Sequence, residues 1–598
     1  MLTDKNPISY QIMIHDRNYN SWSFYDNITG QEIIHENTPL SKIIPLEHKL
    51  LSKDIFTLTV EGILTITNSQ AREVPYYAGV LLLENNKTYG RTPNKKRLLY
   101  KCVPDDKHLP PFLVPYDIKI GFSKVFKNKY ITFQYDNWLN TVHPYGLIKE
   151  TLGDVDNLEA FYEYQLYCKS LHISITDITN RTRETLNKKT QDEYIESILK
   201  NPQFQIQDRS DSYIFTIDPP QSLDFDDGFS IVDMPDGNSY KVSVYIANVY
   251  FWLEILGLWS SFSRRVATIY LPDRRRPMLP TILSDTLCSL QANQTRFAFC
   301  FDVIVDRDGK ILKEPQFSNA MIRVSKNYHY EDPKMLAKDE HYKKLLEVTK
   351  KMAGPTISTN SHDLVSFWMV QMNKSCAQYM VQHKFGIFRT STIYDTTTTI
   401  NHDPDTPISL LDEDTRRVIQ LWNNSSGNYI LYNEDNASLE HMVMNAKSYI
   451  HITSPIRRLV DLLNQMQMMQ HLGSILPIQG DARQFLDKWT REIDYINTSM
   501  RSIRKIQTDC NILHRCFQSP DIIGQVHEGV VFDRLVMNNN RITYMVYLEK
   551  LKLLSRITTT TDFDNLTKHS FQIFLFEDEH STKKKIRLQY GEPTTREP

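Results

Sequence analysis

The alternation of hydrophobic and polar positions divides this chain into β-like regions and a long region of mixed character. Between residues 54 and 133, short apolar runs such as 56–60 and 130–133 are separated by turns, and this pattern predicts β-strands. Residues 155–200 have helical spacing. Residues 1–53 are polar and predict no clear element.

From Thr216 to about residue 515, strand-like and helical runs alternate, which predicts one large α/β domain. The predicted helices cover 363–383, 455–471 and 482–517, the last with a break. After Pro520 the pattern is β-like again and predicts another small barrel. The chain is therefore divided into 1–53, 54–200, 201–517 and 518–598.

Aromatic and basic residues are interleaved among the N-terminal predicted strands. The aromatics are Tyr89, Tyr100, Phe112, Tyr116, Phe122, Phe126 and Tyr130, and the basic clusters are at 95–97 and 124–129. Short strands with these residues suit an OB-type barrel, in which bases stack on rings and lysines contact phosphates. For any single ring, however, filling a small β core is the expected role. A basic run at 583–587 adds charge near the C-terminus, although a solvated face is the ordinary role of such a run.

Composition restricts the class of protein. The hydrophobic fraction of 41% and the charged fraction of 23% are those of a globular protein. No stretch has the ~20 apolar residues that cross a bilayer, and the N-terminus lacks signal-peptide features. Seven scattered cysteines argue against a disulfide framework and a structural zinc site. We expect an intracellular, cytoplasmic protein with no membrane partner. The net charge of −2 argues mildly against nucleic acid, but it is compatible with a charged channel inside a neutral exterior.

Four aspartates within ten residues are the most informative feature of the chain: Asp218, Asp224, Asp226 and Asp227. Asp218 precedes a proline and should be extended. In an extended segment Asp224 and Asp226 share one face, and Asp227 faces the other way. Because so many carboxylates repel one another unless a cation joins them, the cluster indicates a metal site. Oxygen ligands favour magnesium, manganese or calcium over zinc.

Three other interpretations of the acidic stretch compete with a metal site. Its apolar flanks argue against a solvated loop, and a glycine at the fifth position rules out an EF-hand. A glycosidase carboxylate pair remains open but has no supporting motif.

A second stretch, 449–461, has the composition of a phosphate site. Ser454 is a suitable helix N-cap and Pro455 a suitable first helical residue. Arg457 would then lie in the first turn, where the helix dipole and its own charge favour an anion. The structural alternative is that Arg457 only pairs with Asp461.

Both stretches closely resemble signature sequences of the RNase II (RNB) family. The first matches D-P-P-x-x-x-D-x-D-D-G, and the second matches Y-x-H-F-T-S-P-I-R-R-Y-x-D-L. Between them, 268–290 is similar to the family's series Y-L-P, P-M-L-P, L-S and L-C-S-L, interrupted by three arginines at 274–276. Those arginines could face phosphates or lie in a solvated loop. The resemblance covers about residues 215–470.

The resemblance implies roles for individual residues. Asp218 and Asp227 would be magnesium ligands in a set that Asp224 and Asp226 complete. Asp224 would also contact the catalytic arginine, and Asp226 would be most closely tied to cleavage. Arg457 would be that arginine and stabilise charge on the scissile phosphate. The implied RNA-binding residues are Tyr270, which stacks on a base, and Arg458, Phe367, Trp368 and Gln507.

The resemblance also implies a fold and an activity. The expected fold is multidomain α+β, with a central α/β RNB catalytic domain at 201–517. Small OB-type barrels flank it: cold-shock/OB-type barrels with a helical linker at 54–200 and an OB-type domain at 518–598. The expected activity is 3′-to-5′ hydrolysis of single-stranded RNA to nucleoside 5′-monophosphates with Mg2+, or alternatively Mn2+. A segment at 138–153 resembles the eukaryotic exosome nuclease branch, here expected without an N-terminal endonuclease domain, so an RNA-decay complex is a candidate partner.

Several family positions differ in this chain. They are Asn248, Leu459, Gln465, Met466 and Gln507, the last in place of a glutamate that contacts an RNA base. The four aspartates and the leading arginine are unchanged, so activity with altered base preference is expected. The alternative is a catalytically weak RNB-fold RNA-binding protein or a subunit of an RNA-decay complex.

Overall fold

The computed structural model describes most of the chain. The described residues are 9–34, 38–59, 62–117, 126–139, 142–354, 360–390, 411–412, 414–416, 418–419, 422, 427–433, 439, 446–537, 541–579 and 582–591. The chain divides into two compact units. The first is Met1–His172 with Thr508–Val526 and Gln572–Gln589, and the second is Ile173–Gln507 with His527–Phe571 and Tyr590–Pro598.

Two β-structures make up most of the first unit. Its strands are β1 Ser9–Ile14, β2 Trp22–Asp26, β3 Glu32–Ile33, β4 Ile55–Leu58, β5 Leu64–Asn68, β6 Tyr77–Leu81, β7 Leu98–Pro104, β8 Phe112–Tyr116, β9 Lys129–Asn137 and β10 Tyr145–Asp154. Strands β3-β2-β1-β4-β5 form a sheet, and β10-β8-β7-β6-β9 close into a barrel. One hydrophobic cluster, which includes Phe24, Phe56, Phe112 and Phe133, is the core of both.

A seven-stranded sheet is the centre of the second unit. The strands of this part of the chain are β11 Ile206–Arg209, β12 Phe215–Asp218, β13 Asp227–Asp233, β14 Ser239–Ala247, β15 Ile269–Tyr270, β16 Arg275–Arg276, β17 Thr295–Asp306, β18 Gln316–Arg323, β19 Lys326–His329, β20 Ile387–Thr390 and β21 Asn428–Leu431. The sheet order is β11-β18-β17-β14-β13-β12-β19, while β15-β16 and β20-β21 are separate pairs. Strands β14 and β17 are buried along most of their length, which explains their nearly continuous apolar runs.

Helices precede, separate and follow these strands along the chain. They are α1 Gln70–Glu73, α2 Leu158–Cys168, α3 Thr176–Leu186, α4 Gln191–Leu199, α5 Val249–Ile255, α6 Pro333–Lys338, α7 Glu340–Ala353, α8 Ser361–Gln382, α9 Leu459–His471, α10 Gly480–Arg491 and α11 Ile493–Gln518. Short 3-10 turns lie at Pro39–Lys42, Glu84–Asn86, Trp259–Ser261, Pro520–Ile522 and Glu549–Leu551, and a π-turn lies at Ile282–Leu287. No described helix is long and apolar enough to cross a membrane.

The last sheet lies at the C-terminal end of the chain. Its strands are β22 Val526–Val536, β23 Ile542–Leu548, β24 Leu553–Thr559, β25 Lys568–Glu577 and β26 Lys584–Tyr590, in the order β24-β23-β22-β25-β26. Phe532 and Tyr547 of this sheet share a small core with Leu411 and Ile419.

The expected fold class, a central α/β domain with small β domains on both sides in the sequence, is confirmed. Residues 1–53, for which no element was predicted, contribute β1, β2 and β3, and β1 pairs with β4 across the division at 53/54. The four-part division itself stays a prediction. The break in the 482–517 helix lies at Glu492.

Most aromatics of the barrel region belong to its core. Tyr100, Phe112 and Tyr130 are fully buried, and Tyr116 and Phe126 pack against the core. Phe122 and the basic cluster's 124 and 125 lie outside the described residues. The buried rings are therefore unavailable for stacking on bases, as expected from the ordinary role of such residues.

Candidate active site

The acidic stretch is the connection between two central strands. Asp218 is the last residue of β12 and Asp227 the first of β13. Pro219 and Pro220 lack the N–H groups that would continue the ladder. The chain turns at once, with Ser222 N donating to Pro219 O.

Ser289 fixes this connection from a neighbouring segment. Its hydroxyl donates to Leu223 O at 2.7 Å and accepts from Phe225 N at 3.0 Å. Leu290 N donates to Phe225 O, and Ala247 N donates to Asp226 O. These four bonds hold the backbone on both sides of Asp224 and Asp226, so the acidic side chains project from a rigid loop.

Asp226 and Arg457 form the central ion pair of the site. Arg457 Nε donates to Asp226 Oδ2 at 3.0 Å, and Ile456 N donates to Oδ1 at 3.0 Å. Asp226 is only 2% exposed, whereas the side chain of Arg457 is 45% exposed. Ser454 Oγ accepts from Arg457 Nη2 at 3.1 Å. The carboxylate and this hydroxyl thus hold two of the guanidinium nitrogens and leave Nη1 available to an anion.

The segment around Arg457 differs from the predicted helix start. The helix α9 begins at Leu459, not at Pro455, because Arg458 adopts extended backbone angles and bridges to Ala267. Residues 455–457 form an isolated turn, closed by Arg457 N and Arg458 N donating to Ser454 O. Arg457 therefore lies before the helix, in a turn fastened to the neighbouring strand segment by Thr268 N, which donates to Arg457 O.

Asp461 supports this turn from inside α9. It is fully buried, and its Oδ1 accepts from Ser454 N at 2.8 Å and from Arg458 Nη2 at 2.9 Å. The structural alternative for Arg457, pairing with Asp461, is therefore wrong: the neighbouring Arg458 makes that pair. Arg458 uses Nη2 in this pair, and its implied role as an RNA contact stays a prediction.

Asp224 does not contact Arg457 as the sequence implied. Its Oδ1 pairs with Arg275 Nη1 at 2.7 Å, and Arg275 also pairs with Asp285. Arg275 lies on β16 opposite Tyr270 of β15, and the Tyr270 hydroxyl donates to Asp224 Oδ2 at 3.5 Å. Arg275 is thus the cation that pairs with Asp224 in place of Arg457. Through Arg275 and Tyr270, Asp224 holds the β15–β16 hairpin against the acidic loop.

Replacement of Arg275 by glutamine is expected to lower the free energy of unfolding by about 1–3 kcal/mol, because two largely buried carboxylates lose their cation. Chemical denaturation measures this change. Arg274→Gln is the matched control, because Arg274 is 68% exposed and should give a change within about 0.5 kcal/mol. Equal stability of the two variants would contradict the bridging role.

Burial dominates the electrostatics of the three inner aspartates. It raises the pKa of Asp226 to about 7, although Arg457 and the Ile456 N–H partly oppose the shift. It raises the pKa of Asp227 to about 6, with Arg457 again opposing. Burial and then the charge of Asp227 raise the pKa of Asp218 well above its ordinary value. Clustered acids with raised pKa values are typical of functional sites.

Two of these carboxylates fit a divalent cation. Asp218 Oδ2 and Asp227 Oδ2 are buried and have no hydrogen-bond partner among the described residues, and such orphaned oxygens are costly unless a ligand satisfies them. Asp226, by contrast, uses both oxygens on protein donors. No group of three or more His, Cys, Asp or Glu side chains in the described ranges is arranged to hold a metal. The protein would thus supply two carboxylates and leave the other positions to water or phosphate, as Mg2+ sites commonly do.

The other residues implied for RNA binding differ in their exposure and in their distance from the acidic loop. Tyr270 is 40% exposed beside Asp224, and its backbone N donates to Gln507 Oε1 at 3.3 Å, so these two belong to the site. Trp368 is fully buried and its indole donates to Thr349, so it has no face to offer a base. Phe367 is half-buried, and its ring lies edge-on to Trp368.

The sequence missed the roles of Ser289, Arg275 and Asp285. Ser289 stands in the L-C-S-L motif, so its motif was visible although its hydrogen bonds were not. Arg275 and Asp285 are ten residues apart, and nothing in their spacing shows that Arg275 joins Asp285 to Asp224.

Comparison with known proteins gives matches in the same region. The family model described as RNB domain matches residues 206–353 and 337–474. The chain is 28% identical over 243 residues to DIS3-like exonuclease 2 of Schizosaccharomyces pombe, a match that covers 37% of this chain and 25% of that protein. The match thus spans a quarter of that relative's length.

Solved structures share the fold over a greater length. A structure of Mycoplasma genitalium RNase R in complex with ribose methylated single-stranded RNA has a TM-score of 0.66 and 17% identity, covering 97% of this chain and 100% of that one. The structure of yeast Ssd1, a pseudonuclease, has a TM-score of 0.56 and 13% identity, covering 94% and 80%.

Proposed function

The chain belongs to the RNase II (RNB) family of exoribonucleases, and from this premise we propose that it is a hydrolytic 3′-to-5′ exoribonuclease that degrades single-stranded RNA to nucleoside 5′-monophosphates. The observation that carries the proposal is the Asp226–Arg457 pair beside the orphaned oxygens of Asp218 and Asp227. This arrangement combines a cation for phosphate with ligands for a metal.

Each residue of the site has a distinct task in this reaction. The exposed edge of Arg457 binds a nonbridging oxygen of the scissile phosphate and stabilises its developing charge. Asp226 holds that guanidinium in place through Nε. Asp218 and Asp227 would hold Mg2+, with Mn2+ as the alternative. When bound, the metal supplies an activated water and offsets charge on the leaving oxygen.

Tyr270 positions the RNA strand next to the Asp226–Arg457 pair. Its exposed ring offers a surface on which a base can stack, worth roughly 1–3 kcal/mol. Its backbone is tied to Gln507, and its hairpin to Asp224, so the ring is fixed relative to Arg457. A 2′-hydroxyl contact would distinguish RNA from DNA. An RNA-decay complex is the proposed protein partner.

Product analysis tests the proposal. The protein is incubated with single-stranded RNA or DNA of one sequence in Mg2+ or EDTA, and the products are separated by chromatography. Nucleoside 5′-monophosphates from RNA in Mg2+ alone support the proposal. Nucleoside 3′-monophosphates, internal fragments or intact RNA would contradict it.

A second candidate function is an RNB-fold protein that binds RNA without hydrolysing it. It is favoured by the changed family positions, among them Gln507, which lies at the backbone of Tyr270. Such a protein would bind RNA with a strong salt dependence and leave it intact in Mg2+.

Magnesium is expected to stabilise the protein more at pH 8 than at pH 5. The pKa values of Asp227 and Asp226 rise to about 6 and about 7 on folding. Stability from their protonated forms is therefore full below the ordinary value of 3.8 and lost as pH rises through 6 and 7. Burial also raises the pKa of Asp218. Mg2+ held by the deprotonated Asp218 and Asp227 would offset the part of this loss that comes from those two carboxylates.

Differential scanning fluorimetry measures this effect. Saturating Mg2+ should raise the melting temperature by about 2–5 °C at pH 8 and by less at pH 5. In Asp218→Asn/Asp227→Asn the increase should be absent at both pH values. An equal increase in this variant would place the metal elsewhere.

A further inference from the structure

Three arginines outside the four-aspartate cluster lie near one another on β20 and α11. Arg389 lies on β20, and Arg501 and Arg504 lie on α11. Burial, and then the charges of Arg389 and Arg501, lower the pKa of Arg504 to about 10. Arg389 pairs with Tyr429 across β20 and β21, and the adjacent Asn428 Oδ1 accepts from Arg501 Nη1 at 3.4 Å, so Arg389 and Arg501 lie at the same end of this strand pair.

The cluster is built on fixed supports. Arg389 is 3% exposed and its guanidinium lies 5.0 Å from the centre of the Tyr429 ring. The Tyr429 backbone is clamped by Asn497, whose side chain accepts from its N at 2.7 Å and donates to its O at 2.8 Å. The Tyr429 hydroxyl shares a hydrogen bond with His451 Nδ1. Strand β21 is thereby docked on α11, and the arginines are held close together.

The two helix arginines have no carboxylate partner within the described part of the chain. Arg501 donates to Asn428 Oδ1 and Thr498 Oγ1, and neither Arg501 nor Arg504 forms a salt bridge with any residue that the structure describes. Arg501 and Arg504 are two like charges one helical turn apart, an arrangement that an anion between them would stabilise. Guanidinium groups match phosphate oxygens in geometry and charge.

The position of the cluster relates it to the strand path. Arg501, Arg504 and Gln507 follow one another at intervals of three residues, so Arg504 lies beside both of the others on the surface of α11. Gln507 binds the backbone of Tyr270, and Arg501 lies about 9 Å further along the helix axis. A strand that stacks a base on Tyr270 and follows this surface would bring a phosphate to the arginines.

We propose that Arg501 and Arg504, whose positive charge the buried Arg389 reinforces, form a second phosphate site, which holds an RNA backbone phosphate on the 5′ side of the cut. The proposal rests on the exoribonuclease function. A nucleotide leaving from a 3′ end carries only the scissile phosphate, so any other backbone phosphate belongs to the retained strand. The same chemistry would also accept the phosphate of a released nucleoside 5′-monophosphate, and the experiment separates the two sources.

The test measures binding in an Asp226→Asn background, so that RNA stays intact. Arg501→Gln/Arg504→Gln is compared with Arg483→Gln, an exposed arginine of α10 that pairs with Asp487. Fluorescence anisotropy with a labelled decanucleotide should show about tenfold weaker binding in the double variant. The slope of log affinity against log salt should fall by about 0.7 for each phosphate that the variant no longer neutralises.

Strand length and product competition identify the phosphate. A dinucleotide carries only the scissile phosphate. The double variant and the control should therefore bind the dinucleotide with similar affinities, whereas the decanucleotide should bind the double variant more weakly. Equal weakening for both lengths, together with competition by adenosine 5′-monophosphate that the control shows and the double variant loses, would assign the cluster to the product and overturn the proposal. Decanucleotide binding equal to that of the control would also overturn it.

Two further measurements separate a loss of phosphate binding from a loss of folding. The thermal midpoints of the double variant and the control should agree. Arg504→Lys keeps the positive charge, so its slope of log affinity against log salt should lie close to that of the protein with Arg504. Because binding is read without hydrolysis, the cluster is tested even if the wild-type protein leaves RNA intact. That separate result would refute the exoribonuclease function, not the phosphate site.

Discussion

Substitution of Asp226 by asparagine is expected to reduce the rate of Mg2+-dependent RNA hydrolysis by about 10³-fold. Asparagine retains an oxygen that can accept from Ile456 N, so the loop should stay folded. It loses the negative charge that pairs with Arg457 Nε and fixes the guanidinium. An unanchored Arg457 would no longer lie where charge develops on the scissile phosphate.

Single-turnover kinetics with excess protein measure the hydrolysis step in this variant separately from product release. Asp233→Asn is the matched control, because Asp233 ends the same strand, β13, and is about half exposed in its pair with Lys344. The control should hydrolyse RNA at the wild-type rate. A rate for Asp226→Asn within tenfold of the control would remove Asp226 from the reaction.

Replacement of Arg457 by alanine is expected to slow hydrolysis by about 10²–10³-fold while changing RNA affinity much less. The reason is that Arg457 would act mainly on charge that develops in the transition state. Arg457→Lys should recover part of the rate, because lysine supplies the charge but not the planar fork that both Asp226 and phosphate use.

Comparison of rate and binding tests this role. Arg483→Ala is the control for loss of one exposed arginine. If Arg457→Ala weakened RNA binding as much as it slowed hydrolysis, Arg457 would be a ground-state phosphate contact instead. The buried Asp226 would also lose its cation, so the thermal midpoint of the variant should be recorded beside its rate.

The sequence predicted the centre of this site because its chemistry is local. Asp218 and Asp227 are nine residues apart and are joined by a turn that Pro219 and Pro220 enforce. The residue types alone therefore placed the carboxylates together. The central α/β sheet was predictable for a similar reason, since its long buried strands are almost continuously apolar.

The errors concern contacts between distant segments. Ser-Pro is a strong local signal that predicts a helix start at Pro455, yet the bridge between Arg458 and Ala267 overrides it. The family resemblance pairs Asp224 with Arg457, but Asp224 forms its ion pair with Arg275, which is 51 residues away in the sequence. Neither contact leaves a periodic pattern in the chain.

Two further differences come from burial and from strand pairing. Trp368 is aromatic and lies near family motifs, which suggests a stacking role, but it is packed inside α8's buried face. Residues 1–53 predict no element because their strands are short and are separated by longer polar segments. Their pairing with β4 becomes visible only in three dimensions.

The assignment of hydrolysis to this site is tested most directly with single-stranded RNA labelled at its 5′ end. Wild-type protein in Mg2+, wild-type protein in EDTA and Asp226→Asn in Mg2+ are compared on one denaturing gel over time. We expect a ladder that shortens from the 3′ end in the first sample only. Intact RNA in all three samples, despite binding, would contradict the assignment and favour a protein that only binds RNA.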